Sequence, residues 1–110
     1  DKLKVNYHIP NTLKNISLPP LLIQPIIENA IKHNAKQTSL ILNITLSELP
    51  NGVKIQISDN GKGFSSEVIK HGHGSGVGMK NILKRVKQLG KGKVLLSNNN
   101  GAVVTLELTL

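Results

Sequence analysis

The chain has 110 residues, with 14 Lys and Arg against 6 Asp and Glu, a formal net charge of +8, 38% hydrophobic residues and no cysteine. That length suits one domain and is too short for two; the lack of cysteine excludes a disulfide framework and a thiolate metal site, and no apolar run reaches membrane-spanning length. The positive charge favours an anionic partner without choosing among nucleotide phosphates, nucleic acid, acidic lipid and acidic protein, but Tyr7 and Phe64 are the only aromatics, too few for the stacking platforms that hold single-stranded nucleic acid.

In chain order, Leu3, Val5, Tyr7 and Ile9 alternate with Lys4, Asn6 and His8 and predict a one-sided strand ended by "IPN". "SLPPLLIQPIIENAIKHN" then carries Ile23, Ile26, Ile27, Ala30 and Ile31 at helical spacing. Pro20 suits a helix start, whereas Pro25 predicts a kink or a late start there. Leu40, Leu42, Ile44 and Leu46 alternate, "ELPNG" turns, and Val53, Ile55 and Ile57 alternate back to Asp59, an antiparallel hairpin. "GMKNILKRVKQLG" places Met79, Ile82, Leu83, Val86 and Leu89 on one helical face and stops at Gly90. A last hairpin turns about "NNNG", with Val104, Leu106, Leu108 and Leu110 on one side. Strands apolar on one face and polar on the other predict an α+β, two-layer α/β sandwich with helices on that apolar face. The chain opens on Asp1 rather than Met, and residues 1–110 are expected to be one domain cut from a longer protein; no signal peptide is visible.

Two glycine clusters stand out: "DNGKGF" from Asp59 to Phe64 and "HGHGSGVGMKN" from His71 to Asn81. Neither matches the phosphate loop G-x-x-x-x-G-K-[ST] or the dinucleotide fingerprint G-x-G-x-x-G. Their physics is still suggestive. Asp59 at a strand end can accept from an exocyclic amine, with Gly61 and Gly63 removing side chains where a flat base would pack. Gly74, Gly76 and Gly78 lead into a helix, whose free N–H groups favour phosphate. On the first helix Asn29, Lys32, His33 and Lys36 share the polar face with Glu28 at its edge. Asn29 offers an oxygen to a nucleotide-bound Mg²⁺ that takes few protein ligands, and Lys32 a point charge for phosphate. Ordinary turns and a solvated helix face account for each of these features taken singly. His71 and His73 have no third ligand placed by sequence to complete a metal site.

The order "IIENAIKHN", "ISDNGKGF", "GHGSGVGMKNI" resembles the N, G1 and G2 boxes of the GHKL superfamily of ATPases and kinases, and "LPPLLIQPIIENAIKH" with "GVGMKNILKRV" resembles the catalytic domain of LytS/YehU-type sensor histidine kinases. The resemblance runs from about Ile16 to the C-terminus. It implies an ATP-binding sandwich with a mostly antiparallel mixed sheet (the Bergerat fold). Asn29 would ligand Mg²⁺, Lys32 would contact phosphate and His33 would lie near the base or ribose. Asp59 would take the adenine amino group in a pocket shaped by Gly61 and Gly63, Gly74, Gly76 and Gly78 would form the phosphate-side loop, and Ser65 to Lys70 would form a short mobile lid. It also implies γ-phosphate transfer to a histidine on a separate dimerisation domain of the same receptor, homodimeric in full length, with a response regulator downstream and no nucleic acid. This would be the cytoplasmic part of a membrane-anchored bacterial receptor. No histidine in a long upstream helix is present to accept the phosphate, so the fragment by itself is expected not to autophosphorylate. The sequence departs from the pattern at Asn34, where glycine is frequent, at Met79 for a common leucine, and at Ala102 for a usual Gly-Thr pair, and none of these is expected to touch the chemistry. Two alternatives stand beside the kinase: an ATPase of the same superfamily with Glu28 as base, and a non-catalytic basic interaction module.

Overall fold

The computed structural model describes residues 2–14, 20–71, 84, 86 and 92–109. Among them, five strands form one sheet: β1 (Lys2–His8), β2 (Ser39–Leu49), β3 (Gly52–Asp59), β4 (Gly92–Asn98) and β5 (Ala102–Thr109), in spatial order β1-β2-β3-β5-β4. β1 and β2 are parallel and every other pairing is antiparallel. Parallel neighbours need a crossover, and this one carries a 3-10 turn at Asn11–Leu13 and the helix α1 (Pro20–His33). A second, short helix, α2 (Ser66–His71), lies between β3 and β4.

The period-two patterns of β2, β3 and β5 become one buried face. Ile44 stands opposite Ile57, and Ile57 opposite Val104. Ile26 from α1, Leu13 from the 3-10 turn and Val86 close over this face and complete an aliphatic core. The other face is polar and half exposed; there Gln56 Nε2 donates to Oγ1 of the buried Thr105 at 3.4 Å. The result is the two-layer α+β sandwich that the alternation predicts.

Two local expectations are corrected. α1 begins at Pro20 and runs through Pro25 rather than starting there. The Leu21 carbonyl loses its helical donor, while Ile23, Ile26 and Ile27, on both sides of the proline, pack on the core. In β1, Leu3 and Tyr7 are 51% and 62% exposed although they share a face with the buried Leu40 and Ile44. β1 is an edge strand, α1 packs over β3, and of the strand's apolar residues Val5 packs against the core.

Lys84 and Val86 are helical, Lys84 exposed and Val86 buried, as the second predicted helix requires. The rest of that helix, with Met79, Gly74, Gly76, Gly78 and His73, lies outside the described residues. The expected lid at Ser65 to Lys70 is α2 with its preceding cap: the Ser65 hydroxyl oxygen accepts from the Val68 N–H at 3.2 Å, and the Ser65 carbonyl from the Ile69 N–H at 3.1 Å.

Candidate functional site

Residues 26, 29, 30 and 33 recur at helical spacing, so one face of α1 turns Ile26, Asn29, Ala30 and His33 towards the end of β3, and Asn34, the first residue past the helix, continues that face. Between that face, the loop after Asp59, α2 and the start of β5 lies a cavity of about 290 Å³. Its walls are largely apolar, with Ile26, Ile57, Phe64, Val68 and Val104 among the lining. Asp59 is the acid on this lining, and it is 9% exposed. A slot of that kind suits a flat, mostly apolar ligand with a few directional polar atoms.

The Asp59 carboxylate is used unevenly. Oδ1 accepts from the backbone N–H of Gly61 at 2.8 Å and of Ala102 at 3.0 Å. Among the described residues Oδ2 receives only the Asn34 Nδ2 at 3.5 Å, the outer limit of a hydrogen bond. One oxygen thus ties β3 to β5 and closes the turn, and the other carries a single long contact among the described residues.

Side-chain amides hold the surrounding loop. Asn98, the last residue of β4, accepts from the Phe64 N–H through Oδ1 at 2.8 Å and donates from Nδ2 to the Phe64 carbonyl at 2.9 Å. Asn60 Oδ1 accepts from the Ile41 N–H at 2.9 Å and from Gln37 Nε2 at 3.0 Å, which fastens the turn to the start of β2. Two glycines are required by their geometry. Gly63, at φ +81°, lines the cavity where a Cβ would meet Asn98 Oδ1 at 2.9 Å. Gly101, at φ +145°, lies so close to Asp59 that a Cβ would strike its carbonyl oxygen.

Among the residues singled out from sequence, Asn29, His33, Asp59 and Gly63 come together on the lining. Gly61 does not line the cavity; a Cβ there would fall on the Asn34 amide, so its bare Cα makes room for that side chain. Lys32 is exposed and outside the lining, and so is Glu28, whose Oε1 accepts from Gln24 Nε2 at 3.5 Å. Asn34, Asn98, Gly101 and Ala102 were not picked out as parts of the site. Asn34 and Ala102, expected to stand clear of the chemistry, both hydrogen-bond to the Asp59 carboxylate, Asn34 through its side chain and Ala102 through its backbone N–H. Their available signal was amide-bearing and small residues beside glycine turns, which is also the ordinary composition of turns.

The family model described as histidine kinase-, DNA gyrase B- and HSP90-like ATPase matches residues 17–110. The chain is 29% identical to the sensor protein LytS of Oceanobacillus iheyensis over 81% of this chain and 17% of that protein. It is 37% identical to the sensor histidine kinase YpdA of Escherichia coli, with the same two shares, and so spans a small part of the curated relatives it matches. The fold is similar to that of the histidine kinase domain of the blue-light activated histidine kinase of Erythrobacter litoralis, with a TM-score of 0.76 at 19% identity, over 98% of this chain and 52% of that one. The mycobacterial sensor histidine kinase MprB is similar too, with a TM-score of 0.74 at 14% identity, over 97% of this chain and 81% of that one. At such identities the structures speak for the fold, and the family match speaks for descent: this chain belongs to the histidine kinase-, DNA gyrase B- and HSP90-like ATPases.

Proposed function

We propose that this domain binds ATP with Mg²⁺ and donates the γ-phosphate to a histidine on a separate dimerisation domain of the same receptor, in two-component signalling. The observation that carries the reading is the Asp59 carboxylate, with Oδ1 engaged by two backbone donors and Oδ2 in a single long contact with Asn34 among the described residues, beside an apolar slot. In this reading Asp59 takes the adenine amino group, Ile57, Phe64 and Val104 pack against the ring, and His33 lies near the base or ribose. Asn29 supplies a side-chain oxygen to Mg²⁺, Lys32 meets phosphate from its exposed position, and Gly74, Gly76 and Gly78 form the phosphate-side loop. Bound Mg²⁺ would neutralise charge between the phosphates. Gly61 and Gly63 act by leaving space, Gly61 for Asn34 and Gly63 for Asn98. Glu28, exposed and outside the lining, gives no support to hydrolysis with that residue as base.

Phosphoryl transfer is mostly a matter of positioning, and the histidine that lines the cavity among the described residues, His33, is the one this reading sets beside the base or ribose. In this reading the acceptor histidine lies on another domain of a homodimeric, membrane-anchored bacterial receptor, with a response regulator downstream. Among the described residues no helix is long and apolar enough to cross a membrane. The test has two parts. Calorimetry with Mg²⁺ should show ATP binding to the folded domain, and no binding at millimolar ATP would refute the reading. Incubation with γ-labelled ATP should leave the isolated domain unlabelled, and adding a phosphoacceptor helix pair should give label that is acid-labile and base-stable. Free phosphate released rapidly and abolished by Glu28→Ala would favour the ATPase instead.

A further inference from the structure

We infer that Asn34 sets the base preference of this site by presenting an amide donor beside the Asp59 acceptor. The inference rests on the nucleotide-binding reading above and names a specificity-determining residue that this reading does not contain. Asn34 is the first residue past α1. Its backbone N–H and its Nδ2 both donate to the Ala30 carbonyl, at 3.2 and 2.8 Å. One amide hydrogen therefore caps the helix, and the other is aimed at Asp59 Oδ2, 3.5 Å away. Asn34 Oδ1 accepts from the Lys62 N–H at 3.4 Å. This network fixes the amide's orientation: turned over, it would set oxygen against the Ala30 and Asp59 oxygens and an NH₂ against an N–H. Gly61 leaves the space that the amide fills.

Asp59 and Asn34 both line the cavity, and a bound base would take over their long mutual contact, its amine meeting Oδ2 while the Nδ2 hydrogen that faced Oδ2 turns to the neighbouring ring nitrogen. The Asn34 contact with Oδ2 is long enough to yield to a ligand atom. Adenine carries an amino donor next to a ring-nitrogen acceptor and matches that order. Guanine carries a carbonyl acceptor next to an N–H donor and opposes it at both atoms, and mismatched buried polar pairs discriminate strongly. A residue that only capped the helix would affect stability without affecting the choice of base.

The experiment titrates ATP, GTP and 1-deaza-ATP, which keeps the amine and lacks the ring nitrogen, into wild type, Asn34→Ala and the near-isosteric Asn34→Asp, with Mg²⁺ present and melting curves recorded in parallel. Wild type should bind 1-deaza-ATP about three- to tenfold more weakly than ATP, the value of one modest hydrogen bond. Asn34→Ala should lower ATP affinity by about the same factor, leave GTP nearly unchanged, and abolish the difference between ATP and 1-deaza-ATP. Asn34→Asp, which swaps the donor for an acceptor, should lower the ATP-to-GTP ratio further. Equal binding of ATP and 1-deaza-ATP by wild type overturns the inference without needing any variant. An ATP-to-GTP ratio unchanged in both variants, whatever happens to their melting temperatures, reduces Asn34 to a helix cap. Failure of the underlying reading looks different: folded wild type would then bind none of the three nucleotides, and the inference would fall with it.

Discussion

The antiparallel pair β3–β5 has a hollow at each end, and the larger one carries the poorer chemistry. The hollow at the Asp59 end is about 290 Å³, and the one at the opposite end, bounded by Leu49 to Gly52, Gly92, Lys93 and the end of β5, is about 410 Å³. In the larger hollow the charges answer each other: Lys93 Nζ lies 3.4 Å from Glu107 Oε1. The smaller one keeps a buried carboxylate whose second oxygen meets, among the described residues, just one long contact from an amide beside it, and an apolar wall. Their backbones differ in the same way. Pro50 and Asn51 make a plain two-residue connection between β2 and β3, whereas the segment after Asp59 is fastened by Asn34, Asn60 and Asn98. Directional groups left available, and a backbone held still around them, distinguish a site from a dent.

The largest effect should come from Asp59→Asn. The amide keeps the shape but can set a donor against the base amine, and the loss for ATP should be on the order of 1–3 kcal/mol with GTP affected less. Calorimetry with both nucleotides checks this; an equal loss for the two would mean that Asp59 only supports its loop. Next comes a matched pair of glycines, one at each end. A Cβ at Gly101 would strike the Asp59 carbonyl oxygen, and a Cβ at Gly52 the Leu108 carbonyl oxygen. Each alanine variant should destabilise the fold by about 1–3 kcal/mol, but the nucleotide should notice only one of them. Gly101→Ala, also strained at φ +145°, displaces Asp59 and should weaken ATP about tenfold or more. Gly52→Ala should leave ATP affinity within about twofold, since distant sites act independently. Similar ATP losses in the two variants, with both folded, would erase the contrast between the ends.

The sheet could be read from sequence because alternation is a steric property of extended backbone: Leu40 to Leu46, Val53 to Ile57 and Val104 to Leu108 are all buried on one face. The same alternation misled at Leu3 and Tyr7, since it says which face a residue is on and not whether a helix reaches over it. That β1 lies parallel to β2 depends on the path of the crossover, which leaves no mark on either strand. In the site, Asp59 and Gly63 could be found because turns and positive φ restrict the residue types that occupy them. Asn29 and His33 stood out on the polar face of a helix whose other face is apolar. Asn34 and Asn98 could not be found in this way, because their partners are 25 and 34 residues away along the chain. An asparagine in a turn looks the same whether it meets water or a distant backbone. Gly101 read as a hairpin glycine, and its closeness to Asp59 is a fact of packing alone.

A smaller effect is expected from Asn98→Ala. It deletes both bonds to the Phe64 backbone, each worth about 0.5–1.5 kcal/mol net, and water can replace part of them because Asn98 is exposed. Gly63 and Phe64 both line the cavity, so ATP should weaken a few-fold along with a fall in melting temperature. A lower melting temperature with unchanged ATP affinity would show that the loop keeps its place without the clamp.

The smallest effect belongs to the far end. Lys93 and Glu107 face each other directly across β4 and β5, with side chains 65% and 27% exposed. An exposed cross-strand pair contributes about 0–1 kcal/mol, and physiological salt, with a screening length of about 8 Å, weakens it further. Glu107 also stands opposite Lys54 on β3, so losing Lys93 still leaves it a cation on a neighbouring strand. Lys93→Ala should therefore lower stability by about 0.5 kcal/mol or less, less again in high salt, as read from denaturant midpoints at two salt concentrations. ATP affinity should not change. If it changed more than about twofold, beyond what independent distant sites allow, the two ends would be coupled through the β3–β5 pair, and the second hollow would have to be treated as part of the same site.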